Sequence, residues 1–244
     1  MDELSKLHLA IGSPFSASPS IAAVVGTYTS SLSTTQGFHT TSTINIKINI
    51  SDLVLSHNQR HHDRLHVVYI LPPCVFADRY ELEQRHQDGT GPSFRLWGET
   101  NLELPVEAVD PRGSALLLTI QRSEGDESVQ VPLHMRYMLP RASGGHVSVR
   151  FPWPTIFWAS DEDSLKLAES LWYRRRTNVS AMFLRPSQDP FYTVKIPTGN
   201  LDQGPLAVWL TLILVLFSFL YVARGLWVSS IRLSRRRAAV DKYK

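Results

Sequence analysis

The sequence predicts a mainly β protein: an antiparallel, sandwich-like lumenal domain with one short helix, followed by a single transmembrane helix. Three observations predict it. Short apolar runs of period two recur from residue 43 onward, turn-forming Gly, Pro and Asp separate them, and one uncharged run of 18 residues, Leu206 to Ala223, lies near the C-terminus.

The uncharged run forms a helix of about 27 Å, close to the hydrocarbon thickness of an endoplasmic reticulum bilayer. Trp209 lies near one edge and Tyr221 and Trp227 near the other, which suits the interfacial aromatic belt. After Ala223 come seven cations, Arg224, Arg232, Arg235, Arg236, Arg237, Lys242 and Lys244, with Asp241 the only acid; Asp202 precedes the run. The positive-inside rule therefore places the tail in the cytoplasm and the larger part in a lumen or outside the cell. With the tail set aside, 18 Lys and Arg face 21 Asp and Glu, so the larger part is slightly acidic and offers no nucleic-acid surface.

These features divide the chain into four segments. Residues 1–42 are a Ser- and Thr-rich, poorly ordered segment; 43–204 are the lumenal β-rich domain; 205–227 are the transmembrane helix; 228–244 are the basic cytoplasmic tail. No signal-peptide core shows near Met1, so either the C-terminal helix inserts the chain or the true start lies upstream.

Strands are expected at Thr43 to Ile50, where Ile44, Ile46, Ile48 and Ile50 alternate with polar residues, and at Leu65 to Leu71. Further runs lie at Asn101 to Val109, Ala115 to Gln121, Ser128 to Met138, His146 to Phe151 and Phe191 to Ile196. Turn signals such as Asp110-Pro111-Arg112-Gly113 and Ser143-Gly144-Gly145 separate them. Pro105 and Pro132 mark their strands as edges or bulges. Ser160 and Asp163 predict a helix N-terminus, Leu165, Ala168, Leu171 and Trp172 keep helical spacing, and Arg174 to Arg176 suit the helix end. As acid and base, Asp161 to Asp163 lack converging partners, so their helix-start role is the expected one.

Cys74 is the single cysteine, so the domain holds no intrachain disulfide. Its apolar neighbours in LPPCVF would raise the thiol pKa, which makes an inert buried thiol the simpler reading. Two sequons, at Asn49 and Asn178, suit a lumenal domain, Asn178 being the more accessible. His57 with His61, or His62 with His66, would share a helix face as zinc ligands do. His66 falls in an expected strand, however, so a solvated histidine-rich loop is the plainer account. No nucleophile elbow, phosphate-cradling loop or dinucleotide fingerprint is present, and no catalytic, cofactor-binding or metal-ligating residue is assigned.

The stretch Leu71-Pro72-Pro73-Cys74-Val75-Phe76-Ala77-Asp78-Arg79-Tyr80-Glu81-Leu82 resembles the "LPPG-F-D-YEL" signature of the PIG-X family, including its fungal members. Asn101-Leu102-Glu103-Leu104-Pro105 is similar to that family's "D-L-E-x-P" strand. Val131 to Tyr137 with Pro140, including His134, Arg136 and Tyr137, is similar to "P-x-H-x-R-Y-x-x-P", and Pro154 to Trp158, with Phe157, to "P-x-x-F-W". Cys74 stands where the family usually has Gly, and Ala159 where a Cys commonly follows the Phe-Trp pair.

What the resemblance implies is a non-catalytic subunit of glycosylphosphatidylinositol (GPI) mannosyltransferase I in the endoplasmic reticulum membrane. Its partner would be a polytopic PIG-M-type enzyme that adds the first mannose to the GPI precursor, with no cofactor held by this chain. Phe76, Tyr80, Phe151, Trp153, Phe157 and Trp158 are candidates for partner contact or for core, and His134 and Arg136, on one strand face, for a polar contact patch. The alternatives are a membrane-anchored lumenal chaperone with several clients, a glycan-processing enzyme using the His cluster or Asp161 to Asp163, and a cell-surface adhesion domain.

Overall fold

The computed structural model describes residues 26–48, 64–120 and 126–241, with side chains to residue 233. The chain divides into two compact units, residues 1–139 with 145–198 and residues 140–144 with 199–244. The first is mainly β and the second is dominated by one long helix.

Two five-stranded sheets make the bulk of the first unit. In one, β12 (Arg185–Pro186), β1 (Gly26–Leu32), β2 (His39–Ile48), β7 (Glu127–Met135) and β4 (Val75–Phe76) lie side by side in that order. In the other the order is β11 (Met182–Phe183), β10 (Thr155–Ala159), β3 (Arg64–Leu71), β6 (Ser114–Ile120) and β5 (Ser93–Gly98). A three-stranded sheet joins β8 (Met138–Arg141), β13 (Phe191–Asn200) and β9 (Gly145–Pro152). The pairs within the two five-stranded sheets, and β9 with β13, are antiparallel apart from the short β1–β12 contact.

Periodicity explains which strand went where. In β2, HTTSTINIKI, Ile44 and Ile46 face the core and Thr43 and Asn45 look outward, the pattern of a half-buried strand. In β3, RLHVVYIL, and β6, SALLLTI, nearly every residue is buried because both faces of that sheet are covered. Leu65, Val67, Tyr69, Leu116 and Leu118 meet Ile44, Ile46, Val131 and Leu133 of the first sheet in one core. The alternate residues Val68 and Leu117, with Phe157, pack on Leu167 and Ala168 of helix α2 (Asp161–Tyr173) in a second cluster. Each fully buried side chain of this size contributes about 1.5–3 kcal/mol against exposure.

Hydroxyls cross the main core. Tyr69 and Tyr192 both bond the Ser42 hydroxyl, at 2.8 and 2.7 Å, and Tyr192 also bonds Ser30. Tyr28 donates to the Pro154 carbonyl at 2.6 Å. Burial raises the pKa of Tyr28, Tyr69 and Tyr192, so all three stay neutral phenols.

Several expectations fit the structure. Ser160 caps α2 by accepting from the Asp163 N–H, and Arg174 ends it in the left-handed conformation. Pro132 lies where β4 no longer pairs with β7, so its missing N–H removes no ladder bond on that side. Gly113 closes the Asp110 turn with a positive φ, in a place where a Cβ would collide with the Leu71 carbonyl.

Others need correction. The segment to residue 42 holds strand β1 and the start of β2, because Tyr28 and Ser30 point inward although Ser and Thr dominate its composition. Asn101 to Val109 is no strand: it contains only the 3-10 turn Val106–Ala108, and its carbonyls serve another purpose described below. Among its described residues the domain has two α-helices rather than one, the additional one being α1 (Arg79–Gln87), whose single buried residue, Leu82, gives no helical stripe.

In the second unit, helix α3 (Gly204–Asp241) carries most of the apolar stretch Leu201–Leu233, in which an 18-residue window reaches a mean hydropathy of 2.5. It is long and apolar enough to cross a membrane. The helix continues without a break into the basic segment that the sequence separates as a tail.

Candidate functional site

Three of the resembling segments, those at 71–82, 101–105 and 131–137, come together in the first unit. Pro72 and Pro73 open a turn, closed by the Val75 N–H on the Pro72 carbonyl at 2.9 Å, that delivers β4 alongside the end of β7. Asp78 then caps α1 by accepting from the Tyr80 N–H at 2.8 Å, and Leu82 pins the helix to the core. Phe76 and His134 are register partners, with rings 5.3 Å apart and nearly parallel. The Arg136 guanidinium also lies over the Phe76 ring, at 4.5 Å.

His134 connects three elements. Its Nε2 is 2.9 Å from Glu81 Oε2, and Glu81 in turn accepts from Arg85 at 2.9 Å. Its Nδ1 is 2.8 Å from the Nδ1 of His39, with the rings edge to face. Because a carboxylate only accepts, Nε2 of His134 carries a proton. The Nδ1 pair then shares a single proton, donated by His39 when His134 is neutral. Burial pushes the Glu81 carboxyl up, but the bonds from His134 and Arg85 outweigh it and hold the group below its ordinary value.

Arg136 is 3% exposed. Its backbone N–H donates to the Cys74 carbonyl at 2.9 Å, and its Nη1 donates to the carbonyls of Asn101 at 2.7 Å, Leu104 at 3.0 Å and Leu102 at 3.4 Å. Burial lowers its pKa, yet a guanidinium starts high enough to stay charged. Its Nε has no partner among the described residues. The apparent strand at Asn101 to Val109 is thus a loop folded around a buried cation, with Glu103 and Pro105 exposed on it. Tyr137 stands out from this cluster, 74% exposed and resting on the Phe38 ring at 4.8 Å; Tyr80 is 73% exposed.

The PIG-X / PBN1 family model matches residues 35–227, which takes in both β domain and apolar helix. The chain belongs to the PIG-X / PBN1 family. Relatives named Pbn1 include one of Schizosaccharomyces pombe, 26% identical over 86% of this chain and 62% of its own length. Another, of Emericella nidulans, is 29% identical over 83% of this chain and 43% of its own length. A third, of Neurospora crassa, is 38% identical over 38% of this chain and 20% of its own length. The chain therefore spans less than two thirds of these relatives. No solved structure matches it.

Elsewhere in this PIG-X / PBN1 chain the motif residues are architectural. Phe157 is fully buried between β3 and α2, Trp158 is buried, and the Pro154 carbonyl receives Tyr28. Of the six candidate contact aromatics, Phe151, Trp153, Phe157 and Trp158 are core, Phe76 is half-buried and Tyr80 faces solvent. His134 and Arg136 do share a neighbour, Phe76, but Arg136 points inward and only His134 is partly open.

His66 is fully buried, near Thr119 Oγ1 at 3.1 Å and the Ala159 carbonyl at 3.3 Å, and burial lowers its pKa. It is an internal strand residue; His57, His61, His62 and Asn49 lie outside the described residues. No group of three His, Cys, Asp or Glu able to hold a metal occurs among the described residues. Cys74 is a buried free thiol, pushed up to about 11 by burial. Asp161 pairs with Arg64 at 3.3 Å, Glu162 with Lys166 at 2.6 Å, and Asn178 is exposed beyond α2. His39 and Phe38 were invisible as site residues in the sequence, since nothing local marks them; only the register of β2 on β7 brings them to His134 and Tyr137.

Proposed function

We propose that the chain is a non-catalytic, stabilising subunit of the endoplasmic reticulum GPI mannosyltransferase I complex. It holds a polytopic PIG-M-type catalytic partner that adds the first mannose to the GPI precursor. The observation that carries this reading is that one family model spans the β domain and the apolar helix together. The matched region thus takes in a packed domain and an apolar helix. Transfer between two lipid-linked substrates needs a scaffold of several helices at the membrane face, and the single apolar helix described here is suited to assembling with such a scaffold.

The domain is lumenal and the basic end of α3 cytoplasmic in this reading, supported by the cations after Ala223 and by exposed Asn178 as a glycan acceptor. Affinity purification of the tagged full chain from detergent-solubilised membranes tests the proposal. One stoichiometric polytopic mannosyltransferase is expected to co-purify; many substoichiometric clients would identify a chaperone instead.

A further inference from the structure

The second compact unit joins two stretches far apart in the sequence: the turn Pro140–Gly144, between β8 and β9, and residues 199–244, which carry α3. The contact between them is close. A Cβ built on Gly144 would come within 3.2 Å of the Asn200 Cβ, and one on Gly199 within 3.3 Å of the Pro140 Cβ. The turn is closed by the Gly144 N–H on the Arg141 carbonyl at 3.1 Å, with Gly144 at a positive φ of 65° that side chains disfavour. On the other side the Asn200 side chain accepts from the Asp202 N–H at 2.9 Å and starts the 3-10 turn Leu201–Gln203, which runs directly into α3. The turn is thereby fastened to the root of the apolar helix.

Rise per residue sets its height. From Asn200 to Leu206, the first residue of the uncharged run, the 3-10 and α-helical backbone advances about 10 Å. The headgroup region of a bilayer is roughly 6 Å thick on each side of the hydrocarbon. With α3 in a membrane, a segment touching Asn200 is at the outer edge of that layer, and a long cationic side chain covers the remainder. Arg141 is such a side chain. Arg141, Ala142 and Ser143 are exposed, and Arg141 makes no hydrogen bond or ion pair among the described residues. Leu201, 54% exposed, and exposed Asp202 follow Asn200 directly.

We propose that the turns Pro140–Gly144 and Leu201–Gln203 lie in the headgroup layer of the membrane that α3 crosses, with the Arg141 guanidinium on a phospholipid phosphate and Leu201 at the acyl boundary. This rests on reading α3 as a spanning anchor and adds a second lipid contact beside it. A guanidinium matches two phosphate oxygens through paired N–H donors. The two turns carry one cation and one acid, Arg141 and Asp202, which suits a zwitterionic headgroup, with its phosphate and ammonium, better than a strongly anionic surface. The helix also keeps lipid within reach of the turn at high effective concentration, whether or not a protein is bound.

The test uses the full chain reconstituted in phosphatidylcholine vesicles, with a fluorophore on Ala142→Cys or Gln203→Cys; Cys74 is buried, and wild type put through the same labelling checks that it stays unreactive. Phosphatidylcholine bearing a nitroxide on its headgroup is expected to quench the label at 142 at least about half as strongly as that at 203. Adding Arg141→Glu should lower quenching at 142 about twofold or more and leave 203 unchanged, whereas Arg141→Lys should retain most of it. A label at 142 that aqueous iodide quenches and the lipid nitroxide does not overturns the proposal while the anchor stands. So does a label at 142 shielded from both quenchers, which would show a protein cover, and so does lipid quenching that Arg141→Glu leaves unchanged. Absence of lipid quenching at 203 as well would overturn the spanning anchor together with the proposal.

Discussion

Glu81 and His134, 53 residues apart in the chain, meet at 2.9 Å and tie the first turn of α1 to the end of β7. Helix α1 has little else to hold it there, whereas β7 is fixed by its ladder to β2 and its core residues. Helix α1 buries only Leu82, and β4, the strand between, is two residues long. A short charged helix with almost no apolar face keeps its place through a partly buried carboxylate and an imidazole.

The pair predicts an acid-sensitive contribution. The Glu81 carboxyl titrates below its ordinary value in the folded chain, so its stabilisation is present above the unfolded pKa of about 4.3 and is lost as pH falls through the folded one. Glu81→Gln should lower stability by about 1–2 kcal/mol near neutrality and by little at the acid end. Melting of the detergent-solubilised full chain against pH checks this. A deficit of equal size at both ends of the range would dissociate the carboxylate charge from the effect.

Arg136 predicts a loop phenotype. Arg136→Lys keeps the charge but replaces a planar fork by a single ammonium that cannot follow the three carbonyls and the Phe76 face together. A loss of about 1–3 kcal/mol is expected, with faster hydrogen exchange at Asn101 to Leu104. Exchange unchanged in that segment would show that the carbonyl contacts do not hold the loop.

Much of the β architecture could be read from the residues. Alternation in β2 and the unbroken apolar runs of β3 and β6 distinguish a half-covered sheet from one covered on both faces. Ser160 announced α2, and the apolar stretch announced α3. The failures have physical causes. Asn-Leu-Glu-Leu-Pro-Val-Glu alternates like a strand, but it has no sheet partner, and its carbonyls fold onto Arg136 instead. Strand β1 hid in a Ser- and Thr-rich stretch because its inward Ser30 is satisfied by Tyr192, from the far end of the domain. The same holds for the site. Its members Phe76, Glu81, His134 and Arg136 were named by resemblance, yet their meeting depends on strand register, and His39 reaches His134 across 95 residues.

The hydroxyl network predicts behaviour at high pH. Tyr28, Tyr69 and Tyr192 have raised pKa values in the fold, so their stabilisation is complete below about pH 10, the unfolded value, and declines as pH rises above it. Ultraviolet titration should leave these phenols un-ionised until the chain unfolds. Tyr69→Phe, which removes a partner from Ser42, should cost about 1–2 kcal/mol. A melting point equal to wild type for that variant would show the network to be energetically neutral.

Exposed Asn178 predicts a glycan. In the lumenal orientation the full chain should migrate faster after endoglycosidase treatment, and Asn178→Gln should reproduce that shift without treatment. Absence of a shift in both cases would remove the support that this sequon gives to the orientation.

In the function proposed above, this chain stabilises a polytopic mannosyltransferase rather than performing the transfer. The most direct measurement is the half-life of the PIG-M-type partner, with first-mannose transfer, in cells lacking the chain and in cells given it back. The account predicts a shortened half-life and reduced transfer, both restored by the full chain. Partner abundance and mannose transfer unchanged by its loss would contradict it.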